Sequence, residues 1–310
     1  MTEQAIVEAP SDHPSDDAGE VGEERSLASD AWAAMRRNPM FWISATMITI
    51  FLLMAIWPSL FTNVSPTEAV LSESRALPGD GTWFGRDIQG YDIYARCIYG
   101  ARASILVGVL CTTGTVLIGG IIGVMSGYSG GWGDAVLSRI GDVFFAIPLL
   151  LGAIIFLVSL PDFFNDNYFL IVLKVVLALV ILGWPSLARL MRSSVIQVKP
   201  NDYVQAARAL GASPGRIVRS HVLPNSLAPI IVVATINLGA YIAAEATLSF
   251  LGIGLQPPAI SWGIDISSAI VGLRTTPHML FFPSLFLSLA VLAFIMLGDV
   301  VRDALDPKNR

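Results

Sequence analysis

The sequence predicts an all-α integral membrane protein with six membrane-spanning helices, both ends in the cytoplasm and a helical loop on the cytoplasmic side. Hydrophobic residues make up 54% of the 310-residue chain and charged residues 14%, whereas a soluble domain is close to one quarter charged. A bilayer core takes about 20 apolar residues per helix. Six runs meet that length, at about 40–60, 102–126, 136–160, 168–190, 227–252 and 282–301.

Ahead of the first run lies an acidic segment, residues 1–34, which we expect to form a disordered cytoplasmic tail. Its first thirty residues hold nine acidic side chains and one basic side chain, Arg25. Such a composition cannot bury enough apolar surface to fold. The segment also lacks the basic start, apolar core and cleavage site of a signal peptide. Residues 35–310 are expected to form one transmembrane domain.

The distribution of Lys and Arg sets the orientation, because cytoplasmic loops of membrane proteins are enriched in both. With the N-terminus inside, five basic residues fall outside: Arg75, Arg86, Arg96, Arg102 and Arg274. Thirteen fall inside: Arg25, Arg36, Arg37, Arg139, Arg189, Arg192, Lys199, Arg208, Arg216, Arg219, Arg302, Lys308 and Arg310. Both termini and the loop at 191–226 are therefore predicted to be cytoplasmic.

This cytoplasmic loop is predicted to contain a short capped helix. Pro200 blocks continuation of the fourth span, because its ring clashes with the preceding turn. Asp202 suits the N-cap, where a carboxylate accepts free backbone N–H groups. Tyr203 to Leu210 are mostly good helix formers, and Gly211 suits the left-handed conformation that ends a helix.

A second helix is predicted to follow. Ser213 with Pro214 provides a cap and a first-turn proline, and Pro224 marks where this helix bends or ends. On the first helix Val204, Ala207 and Leu210/Gly211 share one side at helical spacing. We expect that side, with its small side chains, to fit a groove of another protein. The alternative is a solvated loop without a partner.

The spacing in the loop resembles the EAA loop of ABC importer permeases. In that family Glu-Ala-Ala is followed by three residues, Gly, nine residues, Ile, one residue and Leu-Pro. The positions that fall on the pattern without a gap are Gln205, Ala206, Ala207, Gly211, Leu223 and Pro224. Two positions depart: Gln205 stands for the usual Glu, which removes a charge, and His221 stands for the usual Ile.

Other stretches resemble the C-type permease subunit of the dipeptide, oligopeptide and nickel branch of that family. Two of them lie outside the membrane: Gly85-Arg-Asp-Ile-Gln-Gly-Tyr-Asp92 and Arg96-Cys-Ile-Tyr-Gly-Ala-Arg-Ala-Ser104. Arg86 and Tyr91 replace the Thr and Arg that are usual in this branch. Further matches at 127–142, 248–263 and 298–307 extend the resemblance over residues 35–308.

This resemblance implies the fold of a type I ABC importer permease and a place in a larger complex of the bacterial plasma membrane. The implied partners are a homologous B-type permease, two ABC ATPases and an extracytoplasmic substrate-binding protein; no nucleic acid is expected. Peptides are the expected substrate, with nickel or another small solute as the alternative. The residues implied to couple to an ATPase are Asp202, Tyr203, Gln205, Ala206, Ala207, Arg208, Gly211, Leu223 and Pro224.

No cofactor, metal or catalytic residue is expected in this chain. Its three lysines, Lys174, Lys199 and Lys308, do not follow a Gly-x-x-x-x-Gly loop, so there is no P-loop to hold a nucleotide. ATP and Mg are therefore expected to be bound by partner ATPases. A secondary transporter is an alternative, but it needs paired ionisable groups at mid-membrane and broken helices.

A membrane enzyme is a second alternative. The stretch Gly127-Tyr-Ser-Gly130 has the form found in intramembrane serine proteases, whose serine needs a histidine base in another span. All three histidines, His13, His221 and His278, fall in predicted polar segments. The sequence therefore favours a glycine-rich turn.

Glu245 interrupts an apolar run, where an ionised side chain is costly and commonly marks function. Three roles compete: lining the substrate path, bonding to a neighbouring helix, or remaining neutral when buried. A structural role or one beside a gate is favoured over direct substrate contact. Asn237, two turns earlier, is expected to face a similar direction, and the same roles are open for it; both residues are candidates for a gate or the substrate path.

Two patterns favour packing roles. Gly119, Gly123 and Gly127 recur at every fourth residue, the small-xxx-small spacing that lets membrane helices approach closely. We expect this stripe to pack against another span or a partner permease. Arg139 and Asp142 are three apart on a helix and are expected to pair at the cytoplasmic edge.

Overall fold

The computed structural model describes residues 27–79, 81–160 and 167–306, and its regular structure there is helical apart from one isolated β-bridge between Arg86 and Asp92. The expectation for residues 1–26 lies outside this described part. The helices are α1 (Leu27–Met35), α2 (Pro39–Ile56), α3 (Ile93–Ser129), α4 (Gly131–Phe145), α5 (Leu149–Ser159), α6 (Tyr168–Val198), α7 (Asp202–Ala209), α8 (Pro214–Ile217), α9 (Leu223–Ser226), α10 (Ala228–Phe250), α11 (Trp262–Ala269) and α12 (His278–Leu305).

The all-helical membrane fold is confirmed, and five of the six predicted spans are single long helices, whereas the third is not one straight helix. Within the described ranges α2, α3, α6, α10 and α12 are each long and apolar enough to cross a membrane. The predicted third span corresponds to the pair α4 and α5, which are long and apolar enough only when taken together and which meet at an angle of 85°. Pro148 explains the break, because it has no N–H and disfavours the helical conformation at the residue before it.

Helix ends reach beyond the predicted apolar runs. α3 begins at Ile93 rather than near 102, because Asp92 caps it by accepting the Ala95 N–H at 2.8 Å. α6 continues to Val198, so the cytoplasmic loop starts near 199 rather than 191. Hydropathy predicts which residues lie in the membrane, whereas a helix can continue beyond the membrane until a capping residue ends it.

Part of the segment predicted to be disordered is helical. α1 (Leu27–Met35) packs on α12, where Ala31 is buried. The ring of Trp32 on α1 packs edge-on against the ring of Phe41 on α2, with 5.6 Å between the ring centroids. These tertiary contacts stabilise a helix that the local composition alone does not predict.

The predicted glycine stripe packs against another span, α6. A Cβ atom on Gly119 would lie 2.7 Å from the carbonyl oxygen of Trp184, and one on Gly123 would lie 2.6 Å from that of Ala188. Gly127 makes a similar approach to Val195. The glycines therefore let the backbones of α3 and α6 pack in direct contact.

Gly123→Ala is expected to destabilise the protein by about 1–3 kcal/mol, the usual cost of overpacking a tight contact. The added methyl group has no space between α3 and the α6 backbone. Gly120 is a matched control three residues away, because nothing lies within 4 Å of its Cβ position. Thermal unfolding in detergent should show a lower midpoint for Gly123→Ala only; equal midpoints for the two variants would contradict this packing.

Ion pairs and ring contacts order the outer face. Arg96 on α3 pairs with Asp265 on α11, donating from Nε at 2.8 Å. The two residues that depart from the branch pattern have local contacts: Arg86 pairs with Glu73 at 2.7 Å, and the Tyr91 ring lies 5.0 Å below the Arg96 guanidinium. The contacts of Arg86 and Tyr91 therefore stabilise the outer segment.

Candidate functional site

The first helix of the cytoplasmic loop begins one residue earlier than predicted. Asn201 is the N-cap of α7, and Asp202 lies in the first turn rather than at the cap. The Asn201 side chain makes no capping bond and donates instead to the Tyr203 hydroxyl at 3.1 Å. Asp202 still stabilises the helix, since a carboxylate in the first turn favours the positive end of the helix dipole.

The end of α7 agrees with the sequence. Gly211 has φ +81°, the left-handed conformation that glycine adopts without strain. Its N–H donates to the Arg208 carbonyl at 3.0 Å, and the N–H of Ala212 donates to the Ala207 carbonyl at 3.0 Å. This pair of bonds is the Schellman motif, which closes the helix and turns the chain sharply.

Part of the α7 face that we predicted to meet a partner, Val204 and Ala207, instead packs on the chain's own core, whereas Leu210 and Gly211 at its end are exposed. Val204 is fully buried and Ala207 is half-buried. Val204 packs with Ile217, Val222 and α6 residues in one apolar cluster. The apolar pattern was correct, but helical spacing alone cannot distinguish an inward face from a docking face.

The outward face of α7 is formed by Tyr203, Ala206 and Leu210. Leu210 is 88% exposed and Tyr203 is 42% exposed, while Ala206 between them is also exposed. Their spacing of three and four residues places them in one row. A leucine this exposed beside a small residue is suited to binding a groove in another protein.

Gln205 contacts the end of α6. Its amide Nε2 donates to the Lys199 carbonyl at 3.2 Å, a bond that a carboxylate cannot make. The Lys199 ammonium donates in turn to the Tyr128 carbonyl at 2.7 Å. These bonds connect the cytoplasmic ends of α3, α6 and α7.

The second helix of the loop passes Pro224 and ends two residues later. Pro214 opens it as predicted, and a π turn at Val218–Val222 leads into α9. Asn225 Nδ2 donates to the His221 carbonyl at 2.7 Å, and Ser226 Oγ donates to the Val222 carbonyl at 2.8 Å. These side-chain bonds satisfy backbone acceptors around Pro224, while Leu223 packs against the buried cluster of the loop.

The surface of the loop is basic. Arg208, Arg216 and Arg219 are exposed, against one exposed carboxylate, Asp202. A surface with this balance attracts an acidic partner.

Ion pairs connect α6, which leads into the loop, to α4. Asp134 accepts from Arg192 Nε at 2.6 Å and from its Nη2 at 2.7 Å. Arg139 lies 3.8 Å from Asp142 as predicted, but Arg189 is the closer partner of Asp142 at 3.1 Å. The first half of the broken span is thereby attached to α6.

Glu245 is enclosed between helices. It is fully buried on α10, where Ser104 Oγ of α3 donates to its Oε2 at 2.8 Å and Ser249 Oγ donates to its Oε1 at 2.7 Å. This geometry corresponds to the alternative in which Glu245 bonds to a neighbouring helix.

Asn237 does not share the surroundings of Glu245, contrary to our expectation. The two are eight residues apart, which rotates them by about 80° around an α-helix. Asn237 is half-buried on the wall of a cleft of about 320 Å³ between α6, α10 and the α4–α5 break. The sequence did not predict this cleft; Pro148 within the third apolar run was the available signal.

Comparisons with known proteins agree with this architecture. Residues 119–310 match the family described as binding-protein-dependent transport system inner membrane component, and residues 26–78 match the N-terminal TM domain of oligopeptide transport permease C. The chain is 38% identical to the dipeptide transport system permease protein DppC of Alkalihalophilus pseudofirmus, over 91% of this chain and 90% of that protein. It is 36% identical to the oligopeptide transport system permease protein OppC of Bacillus subtilis, over 92% and 91%.

A third relative and two solved structures extend these similarities. The glutathione transport system permease protein GsiD of Pectobacterium atrosepticum is 38% identical over 74% of each chain. The inward-facing methionine ABC transporter MetNI matches with a TM-score of 0.54 and 22% identity, over 68% of this chain and 96% of that chain. An amino acid ABC transporter matches with a TM-score of 0.52 and 18% identity, over 67% and 92%. At these identities the structures show the fold.

Proposed function

The chain belongs to the family of binding-protein-dependent transport system inner membrane components, and from that membership we propose that it is the translocation subunit of an ATP-driven importer of peptides. It is a multi-pass protein of the bacterial inner membrane. The relatives at 36–38% identity are named for dipeptide, oligopeptide and glutathione transport. Di- and oligopeptides are therefore the proposed cargo.

The observation that carries the proposal is the way the chain presents α7. The helix is closed by Gly211, anchored inward by Val204 and exposed along the row Tyr203, Ala206 and Leu210. An anchored helix with one exposed apolar row can be held in a groove, the helix-in-groove mode of recognition. We assign this row as the surface that a partner ATPase binds.

The energy for transport is proposed to come from that partner. No P-loop motif is present in the sequence, and such a loop is what cradles a nucleotide's phosphates, so we assign ATP and Mg to two partner ATPase subunits. A homologous B-type permease and an extracytoplasmic substrate-binding protein complete the proposed complex. This chain supplies the path and the coupling surface, and it carries out no chemistry itself.

Coupling follows from how the loop joins the spans. α6 enters the loop and α10 leaves it after a single residue, Leu227, beyond α9. Because α7 and α8 are packed onto α6 through Val204 and Ile217, a displacement of α7 moves the ends of both spans. Closure of the ATPase pair would thus tilt α6 and α10 together, as in rigid-body switching between two states.

Co-purification tests the proposal directly. The chain is tagged at its C-terminus, expressed with its partners and solubilised in a mild detergent. ATPase subunits should be retained at a fixed ratio and should hydrolyse ATP faster when the substrate-binding protein and peptide are added. A chain that purifies without any ATPase would contradict the proposal.

The substrate class is resolved by uptake into proteoliposomes that contain the whole complex. Labelled dipeptides, longer peptides, glutathione and nickel would be tested separately. In each assay ATP is supplied on the side of the membrane that carries the ATPases. We expect peptide uptake. Selective uptake of nickel would show that the chain belongs to an importer but that its substrate is nickel rather than a peptide.

Gln205→Glu is expected to leave ATPase attachment within about threefold of the wild type. The substitution loses one hydrogen bond, to the Lys199 carbonyl. Because Gln205 is exposed, this bond should contribute near the lower end of the range of about 0.5–1.5 kcal/mol, which is about a two- to threefold change. The substitution also restores the residue usual in the EAA loop. Quantitative pull-down of the ATPases measures the effect. A loss of attachment would show that the docking surface requires an uncharged residue at this position.

A further inference from the structure

The cleft beside Asn237 lies near the middle of the two spans that form its walls. Gly183 on its wall is the central residue of α6, which runs from Tyr168 to Val198, and Asn237 is two residues from the centre of α10. The third wall is the α4–α5 break around Pro148. Irregular backbone at this depth is tolerated where it is buried in protein or lines a water-filled cavity.

The Asn237 side chain makes no hydrogen bond within the described part of the chain. Its amide can donate two hydrogen bonds and accept two, and leaving these unsatisfied in hydrocarbon costs several kcal/mol. The side chain is half-buried and faces the cleft. Water or a polar ligand in the cleft would satisfy it.

The other lining residues suit a ligand with varied side chains. Most of the wall is apolar, with Phe144, Phe145, Ile147, Leu149 and Leu182. The Ser186 hydroxyl uses its donor on the Gly183 carbonyl at 2.9 Å, so only its acceptor lone pairs are available to a ligand. One unpaired amide in an apolar wall can bond a backbone amide of any peptide, since that group is the same in every sequence.

The cleft is also placed to respond to the coupling loop. Two of its walls, α6 and α10, are the spans that enter and leave the loop. The third wall is attached to α6 through the pairs of Arg192 with Asp134 and Arg189 with Asp142. Movement of α7 would therefore change the width of the cleft.

We propose that this cleft is a midplane segment of the translocation path, in which the Asn237 side chain exchanges hydrogen bonds with the backbone amides of the passing peptide. The inference rests on the proposed function and adds to it a named position on the path. Glu245 is excluded from that segment, because it is enclosed by Ser104 and Ser249.

Thiol labelling in the assembled complex tests the placement. Asn237→Cys is compared with Leu292→Cys, which lies at the middle of α12 and is 47% exposed but does not line the cleft. The native Cys97 and Cys111 are fully buried and should give little background. The probe is a membrane-impermeant cationic methanethiosulfonate applied to proteoliposomes with and without transported peptide.

We expect the cysteine at 237 to be labelled at least about tenfold faster than the one at 292, a difference of about 1.4 kcal/mol in the effective barrier. A non-hydrolysed ATP analogue or peptide in transit should change the rate at 237 only. Equal rates at the two positions, in a complex that still takes up peptide, would overturn the path assignment and leave the proposed function intact. Absence of ATP-dependent uptake by the wild-type complex would overturn both.

A second pair of variants tests the role of the amide. Asn237→Leu should lower peptide uptake about tenfold or more, while Asn237→Gln keeps an amide and should retain most uptake. ATPase subunits should remain attached to both variants, because Asn237 is remote in sequence from α7. Wild-type uptake by Asn237→Leu would overturn the hydrogen-bonding role.

Discussion

Replacing Leu210 with lysine is expected to weaken ATPase attachment about 10- to 100-fold while the chain stays folded. Leu210 is 88% exposed, so the substitution removes little packing within the chain. Burying a leucine in a partner contributes about 1.5–3 kcal/mol, and each 1.4 kcal/mol is a factor of ten in affinity. Lysine at the end of α7 also favours the helix dipole, which keeps the helix itself intact.

The matched control for this variant is Leu71→Lys. Leu71 is 74% exposed on the predicted outer side, so the change in charge and polarity is the same but distant from α7. Thermal unfolding should be unchanged for both variants, and ATPase retention should fall only for Leu210→Lys. If the Leu210→Lys chain retained the ATPases fully, the proposal that the exposed row of α7 binds them would be contradicted.

Glu245→Leu is expected to lower the yield and the unfolding temperature of the protein. The substitution leaves the buried hydroxyls of Ser104 and Ser249 without their acceptor. Each buried donor that finds no other acceptor costs about 1–3 kcal/mol. The Ser249 hydroxyl also accepts the Leu255 N–H at 2.9 Å, so the loop after α10 should loosen as well. Thermal unfolding in detergent measures the effect.

Glu245→Gln separates a structural role from a role in transport. Glutamine keeps the shape and one acceptor oxygen, and its amide can donate to a serine hydroxyl. We expect near-normal folding and near-normal peptide uptake. A variant that folds normally but does not transport would place Glu245 in the transport cycle, and a Glu245→Leu protein as stable as the wild type would contradict its structural role.

Local features of the sequence were sufficient to locate five of the spans and the end of α7. Apolar length locates a span because a bilayer has a fixed thickness. Gly211 predicted the end of α7 because few other residues adopt φ near +81° without strain. The glycine spacing predicted that α3 packs closely against another helix, and the structure shows that this helix is α6.

Features that depend on tertiary packing could not be predicted in the same way. The inward direction of Val204 depends on Ile217 and Val222, which lie more than ten residues further along the chain. The separate surroundings of Glu245 and Asn237 depend on which helices flank α10. Similarly, the role of Arg86 follows from Glu73, thirteen residues earlier in the outer segment.

The most direct test of the central claim is ATP-driven peptide uptake by proteoliposomes that contain the complete complex with either the wild-type or the Leu210→Lys chain. Uptake by the wild type should require ATP and the separate ATPase subunits, and it should fall with Leu210→Lys in step with ATPase retention. Uptake by this chain without any ATPase, driven by an ion gradient and unaffected by Leu210→Lys, would contradict the claim that α7 couples the path to a partner's ATP hydrolysis.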